Sequence, residues 1–195
     1  GKNVTVQPFA YIEADVEIGD DNVIMSGARI LNGTRMGKGN KIYHGAVLAA
    51  EPQDFHYEGE KSLLIIGDHN DIRENVVISR ATHKDGCTRI GNENHLMDGV
   101  HLCHDVQIGN RSVLGIKVSV AGDCRIDDCT ILSSNVIIQQ NCHIGSWSLI
   151  QSGCRIAKDV PPYIIMAGNP AEYHGINAMV LQHQNQVTER VLRHI

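Results

Sequence analysis

The densest chemistry in this 195-residue chain lies in the run His101-Leu102-Cys103-His104-Asp105. A histidine followed by an acid is a natural general base with its orienting partner: the carboxylate holds one ring nitrogen and leaves the other free to take a proton near neutral pH. Gly122 and Gln140 follow His104 at intervals of eighteen. If the chain coils with that period, a glycine amide stands beside the imidazole, placed to receive developing negative charge, and a glutamine beyond it can hold a polar substrate. The column reads as an acyl-transfer site. An exposed pair of histidines on a regular surface can also be a surface feature or a subunit contact, so the elements that carry them must decide.

Those elements are written in a register of six. Nearly every residue whose number divides by six is aliphatic, from Val6, Ile12, Ile18, Ile24 and Ile30 through Ile66, Ile72 and Ile78 to Ile138, Ile144, Ile150 and Ile156. Asp54, Glu60 and Lys84 break the series. A helix repeats near 3.6 residues and an open strand near 2, so the pattern fits neither and calls for a solenoid. The position two before each aliphatic residue is mostly small or β-branched, as at Ala28, Ala46, Val76, Val100, Val118 and Val136. Three hexads then close one coil of a parallel β-helix, with coils stacked about 4.8 Å apart. Glycine or asparagine following the aliphatic residue, as in Ile18-Gly19 and Ile90-Gly91-Asn92, is expected to relax the corners.

The breaks mark loops that leave the coil, at about 51–62 and 80–88. Each inserts a multiple of six, so the register resumes unchanged, and loops projecting from a rigid scaffold are where binding residues concentrate. The β-helix is expected over 1–160, followed over 161–195 by a turn and a short helical cap. Cys124, Cys142 and Cys154 fall on the small inward position, and no Cys-x-x-Cys pair is present, so the six cysteines read as reduced thiols and no metal site is expected. A net charge of −5 disfavours nucleic acid. With no membrane-length apolar stretch and no secretory signal pattern, the expected location is cytoplasmic, and Gly1 in place of methionine suggests a processed start.

The register, the loop from Gln53-Asp54-Phe55-His56 to Glu60, the segment Ile66-Gly67-Asp68 to Glu74, the motif His101-x-x-His104-Asp105 with Ile108-Gly109-Asn110-Arg111, the pair Ala121-Gly122, and Asp159-Val160-Pro161-Pro162-Tyr163 together resemble the bacterial UDP-N-acetylglucosamine O-acyltransferase family. The resemblance runs to about Asn177. It implies a left-handed parallel β-helix, a homotrimer with sites between subunits, and the first step of lipid A synthesis. In that reaction a 3-hydroxyacyl chain passes from acyl carrier protein to the 3-hydroxyl of UDP-N-acetylglucosamine. By the resemblance His104 is the general base, Asp105 orients it, the Gly122 amide meets the oxyanion, and Gln53, Asp54, His101 and Gln140 hold substrate. Neither a metal nor free coenzyme A is implied.

Departures from the family pattern matter as well. Asp123 and Gln139 stand where the family usually has histidines, His56 replaces a lysine, and Ser79 replaces a histidine. Ser134 and Ser152 replace two glycines that border the acyl groove, so an altered chain-length preference is expected. The segment after Asn177 lacks the charges of the family's C-terminal helical domain, which is expected to be mostly missing. Other readings are a paralogue with another acceptor, a coenzyme A-dependent hexapeptide transferase, and a non-catalytic β-helix that binds sugar or carrier. A metal enzyme of the γ-carbonic anhydrase type would use His83, His101 and His104, with His83 eighteen before His101.

Overall fold

The computed structural model describes residues 1–178 and 180. The chain winds into a left-handed parallel β-helix of three walls. The first wall has ten strands, the second eight and the third seven among the described residues. Most strands are two residues long, as at His101–Leu102 and Val113–Leu114. From Val23–Ile24 onward the even-numbered member of each such strand points inward and is buried while its partner is more exposed, which is the β alternation applied to the six-residue register; in the first coil Val6 and Ile12 are exposed. Ile72, Ile78, Leu96, Leu102, Leu114, Leu132 and Ile150 are completely buried in one continuous aliphatic core.

Register pairs residues eighteen apart in the uninterrupted coils, as with His101 and Ser119 or Gln107 and Arg125. Where the first loop intervenes, Met36 pairs with Ile66 and Ile42 with Ile72, and where the second intervenes, Ile78 pairs with Leu102. The loops are therefore extruded without disturbing the inward set. One consequence overturns the stacking of His83 beneath His101: the outward neighbour of His101 is Val77, because the extra hexad carries His83 off the wall.

Two features of the corners go beyond the sequence reading. The residue three after most aliphatic positions takes positive φ, as at Gly27, Gly45, Asn75, Asp105 and Asp123. Glycines directly after the aliphatic position do something else: a Cβ on Gly19, Gly37 or Gly67 would lie 2.6–2.8 Å from a carbonyl oxygen of the next coil, so their role is close stacking rather than corner relaxation. The corner between the third and first walls also holds a buried polar column, Asn22, Asn40, Asn70 and Asn94, continued by Ser112, Thr130 and Ser148. Each asparagine Oδ1 accepts a backbone N–H of the next coil, as from Asn40 to Asn22 and from Ser112 to Asn94, both near 2.8–2.9 Å. No buried side-chain nitrogen or oxygen among the described residues is left without a partner.

All six cysteines are free, and Cys124, Cys142 and Cys154 lie in the core. Past Ile156 the segment read as a turn contains the strands Ile164–Ala167 and Glu172–Ile176, an antiparallel pair added to the first wall through Leu149 and Ile150. Ala178 and Val180 are helical, and the rest of the expected cap lies outside the described residues. Among the described residues no helix is long and apolar enough to cross a membrane.

Candidate active site

His104 occupies the corner where the chain passes from the strand His101–Leu102 of the second wall to Gln107–Ile108 of the third. Both loops leave at this same corner. The first connects Val47–Ala50 to Leu63–Ile66, and the second connects Val77–Ser79 to Cys87–Ile90. The regular coils thus supply a fixed platform and the two extrusions build up beside it.

The side chain of His104 is 10% exposed, so its surroundings are set by protein atoms. Its Nδ1 lies 3.0 Å from Asp105 Oδ2. That oxygen also accepts the Thr82 backbone N–H at 3.0 Å and the Thr82 hydroxyl at 2.7 Å. The Asp105 N–H in turn donates to Thr88 Oγ1 at 2.9 Å. Burial alone would raise the Asp105 carboxyl, but the two bonds from Thr82 and the contact with His104 outweigh it and hold the group below its ordinary value. Asp105 is therefore an acceptor at neutral pH, which holds a proton on Nδ1 and directs Nε2 toward the cavity.

Asp54, brought in by the first loop, sets its Oδ2 3.4 Å from His104 Nε2. The backbone N–H of His56 lowers the Asp54 carboxyl most, burial opposes it, and the His56 side chain and the charge of His104 add to the lowering. Gly122 stacks against the other face of the imidazole: a Cβ there would sit 2.6 Å from Nε2 and closer still to Cε1. Only glycine leaves room for the ring. Its carbonyl accepts from Asn141 at 3.2 Å, while its N–H has no backbone acceptor among the described residues. Gln140 Nε2 donates to Asp123 Oδ2 at 3.1 Å. Asp54, His56, Glu60, Thr82, His83, His104, Asp123 and Gln140 line a cavity of about 190 Å³ at this corner.

Five of the nine sequence-selected residues, His104, Asp105, Gly122, Asp54 and Gln140, are therefore brought together. Gln53 is exposed on the same loop as Asp54. His101 is half-buried on the outer face of the second wall, where burial lowers its pKa. Ser134 and Ser152 stand at the corner between the first and second walls, across the second wall from His104, so one chain alone does not unite them with the base. Sequence reasoning missed Thr82 and Thr88, which fix Asp105, and Arg80, which binds the first loop. The signal for Thr82 and Arg80 was position in or next to the second extrusion, and for Thr88 its place two before Ile90. Within one chain the three-histidine metal set is not assembled: among the described residues the donor atoms that gather within 4.8 Å of one another belong to His83, Asp105 and Asp123.

Two family models match the chain. One, bacterial transferase hexapeptide (six repeats), covers residues 1–32. The other, UDP-N-acetylglucosamine O-acyltransferase domain 2, covers residues 159–195 and so reaches past Asn177 into the segment where the family's C-terminal domain was expected to be mostly missing. Over 182 residues the chain is 50% identical to the acyl-[acyl-carrier-protein]–UDP-N-acetylglucosamine O-acyltransferase of Chlamydia caviae, covering 93% of this chain and 65% of that protein. The Chlamydia pneumoniae protein of the same name is 52% identical with the same coverage. The chain thus spans just under two thirds of the length of these relatives. Among solved structures, a UDP-N-acetylglucosamine acyltransferase from Bacteroides fragilis superposes with a TM-score of 0.88 at 42% identity, covering 95% of this chain and 80% of that one. The sequence motifs, the three-walled coil and these similarities agree: the chain belongs to the UDP-N-acetylglucosamine O-acyltransferase family.

Proposed function

We propose that this chain carries the transfer site of an acyl-[acyl-carrier-protein]–UDP-N-acetylglucosamine O-acyltransferase, moving a 3-hydroxyacyl chain from acyl carrier protein to the sugar 3-hydroxyl in the first step of lipid A synthesis. The observation that carries the reading is the arrangement at His104: Nδ1 engaged by Asp105, Nε2 directed into the cavity toward Asp54, and Gly122 packed on the ring. Family membership supplies the substrates, since relatives at about 50% identity bear that name.

The reaction then follows from the geometry. A sugar hydroxyl entering the cavity takes the place Asp54 holds beside Nε2 and donates to it. As the oxygen attacks the thioester carbonyl, its proton passes to Nε2 and positive charge appears on the imidazole. Asp105, fixed by Thr82 and Thr88, stabilises that charge and keeps the ring from rotating. The developing oxyanion is met by the Gly122 N–H, which needs no other acceptor. Collapse of the tetrahedral intermediate expels the carrier thiolate, and the imidazolium returns a proton to it. Asp54 and Gln140 contact the acceptor, with Gln53 and His101 at the margins of the substrate path. The residues alone account for every proton, so the reading needs no cofactor.

A homotrimer is part of the proposal. Ile116, Ile131 and Ile137 are large apolar side chains left exposed around the corner between the first and second walls, where Ser134 also stands. Packing that corner against the His104 corner of a neighbour would bury them and bring Ser134 and Ser152 to the base as walls of the acyl groove. The added hydroxymethyl groups should shorten the accepted chain relative to enzymes with glycine there. A cytoplasmic setting, where carrier-bound acyl chains and nucleotide sugars are available, belongs to the same proposal.

The test is a transfer assay with UDP-N-acetylglucosamine and a ladder of 3-hydroxyacyl carrier proteins. Transfer is expected, with an optimum that lengthens in the Ser134→Gly/Ser152→Gly variant. No transfer from folded protein with any donor would overturn the reading.

A further inference from the structure

We propose that Arg80 is a positioning residue that clamps the 51–62 loop and thereby sets Asp54 opposite His104. The loop is fastened at its two ends, by buried Pro52, by the Ser62 hydroxyl donating to Ala81 O and by the Asp85 N–H donating to Lys61 O at 2.8 Å, but the span between them has little else to hold it. Phe55 at its tip is fully exposed, and His56 and Glu58 face solvent. Most of its hydrogen bonds are internal: the His56 N–H to Asp54 Oδ1 at 2.8 Å, the Tyr57 N–H to Asp54 O at 3.2 Å, and the Tyr57 hydroxyl to Glu60 O at 3.2 Å. These give the loop a shape but do not attach it to the coil. Between residues 51 and 60, two side-chain ties to the body are made among the described residues: Asp54 to His104, and Arg80 to Glu51 and Tyr57.

Asp54 cannot be its own anchor, because acceptor binding at Nε2 displaces that contact. Arg80 is built for the task. Its backbone N–H donates to Ala50 O at 3.0 Å, pinning it to the residue where the loop departs. Its side chain is 15% exposed, and the planar fork divides its donors between Ala49 O at 3.0 Å and the Tyr57 hydroxyl at 2.8 Å. The guanidinium carbon also lies 5.6 Å from the centre of the Tyr57 ring, within cation–π range. Tyr57 is three residues beyond Asp54 and bonded to its carbonyl, so fixing the ring fixes the carboxylate. A lysine could reach one of these acceptors but could not span both in one plane.

The kinetic part of this inference rests on the acyl-transfer reading above; the structural part does not. In Arg80→Ala, amide hydrogen exchange across residues 51–60 should quicken at least tenfold while the coils beyond Gln107 keep wild-type rates and the unfolding temperature changes little. Arg80→Lys should recover only part of the protection, and Tyr57→Phe should lose part of it. Unchanged exchange in the loop would overturn the clamp whether or not the enzyme transfers acyl groups. In the assay, Arg80→Ala should raise the acceptor KM at least tenfold with the donor KM unchanged, and the Arg80→Ala/Asp54→Ala double variant should be no worse than Asp54→Ala alone. Additive losses would show that Arg80 acts other than through Asp54 and would sink the proposal. An inactive wild type with a loop that loosens on substitution would instead count against the proposed reaction and leave the clamp standing.

Discussion

The coils beyond Gln107 and the two interrupted coils before them share one core and one register, yet differ in almost everything outside it. In the uninterrupted stack each residue has a predictable neighbour eighteen away, and outward positions such as Gln107, Arg125 and His143 simply line a wall. In the interrupted coils, extra residues inserted at one corner escape the repeat and bond to things the register does not specify, such as Thr82 to Asp105 and Arg80 to Tyr57. A solenoid gains stability by repetition between neighbours and chemistry by local violation of it. The candidate site draws on both, with His104, Gly122 and Gln140 from the regular column and Asp54 and Thr82 from the violations.

The contrast is broken most sharply at the base. Replacing His104 with alanine should lower kcat on the order of 10³-fold, as removal of a general base does, while the melting temperature stays near wild type. A variant that keeps more than a tenth of wild-type turnover would move the base elsewhere. The opposite profile is expected at Ile108, 3% exposed in the strand Gln107–Ile108 of the regular stack. Ile108→Asn would bury an amide without partners and should cost about 3 kcal/mol, read as a lower urea midpoint, with activity lost only in proportion to unfolding. If the Ile108 variant lost turnover while fully folded, the division between scaffold and site would fail.

Gly122 sits where the two regions meet, and so sharpens the comparison. Its column position is dictated by the repeat, but its lack of a side chain is dictated by the imidazole that packs on it. Gly122→Ala should push the ring from its place and cost on the order of 10²-fold in kcat, since displacement of a reacting group by about an ångström commonly does so. The acceptor KM should move far less than kcat. A near-silent alanine, with a crystal structure showing the ring unmoved, would refute the packing argument.

How much of this was legible in the sequence divides along the same line. The inward set, the three walls and the alignment of His104 with Gly122 and Gln140 follow from periodicity, because each depends on spacing alone. The meaning of the corner glycines did not, since close stacking and positive φ leave the same residue type at neighbouring positions. Nor did the asparagine column, because a buried amide is legible only when its backbone partners on the next coil are known. His83 was misplaced for a related reason: counting by eighteen is valid within the repeat and fails across an extrusion, where Val77 lies beside His101. Thr82 and Arg80 lay in or next to that extrusion, out of reach of any spacing rule, while Thr88 stands two before Ile90, where spacing marks an inward small residue but not its bond to Asp105. The strands at Ile164–Ala167 and Glu172–Ile176 were hidden because they pair antiparallel, outside the six-residue period.

The smallest expected effect, at Asp105, tests whether an extrusion does more than hold substrate. Asp105→Asn keeps the shape and should cost about tenfold in kcat at neutral pH, less than losing the base, because the amide still accepts one bond but no longer balances the imidazolium. The carboxyl of Asp105 is held below its ordinary value, so the native state binds fewer protons there than the unfolded chain. Its contribution to stability is therefore complete above the unfolded carboxyl range and is lost as pH falls through the native value. Urea midpoints measured from pH 7 down to pH 3 should show wild type losing its advantage over Asp105→Asn toward the acid end. Thr82→Val, which removes one of the bonds that lower the carboxyl, should leave a smaller advantage to lose and should finish losing it at a higher pH. If the two curves instead ran parallel over the whole range, the second extrusion would be only a cover over the corner, and the distinction between coils that support and loops that tune would have to be abandoned for that loop.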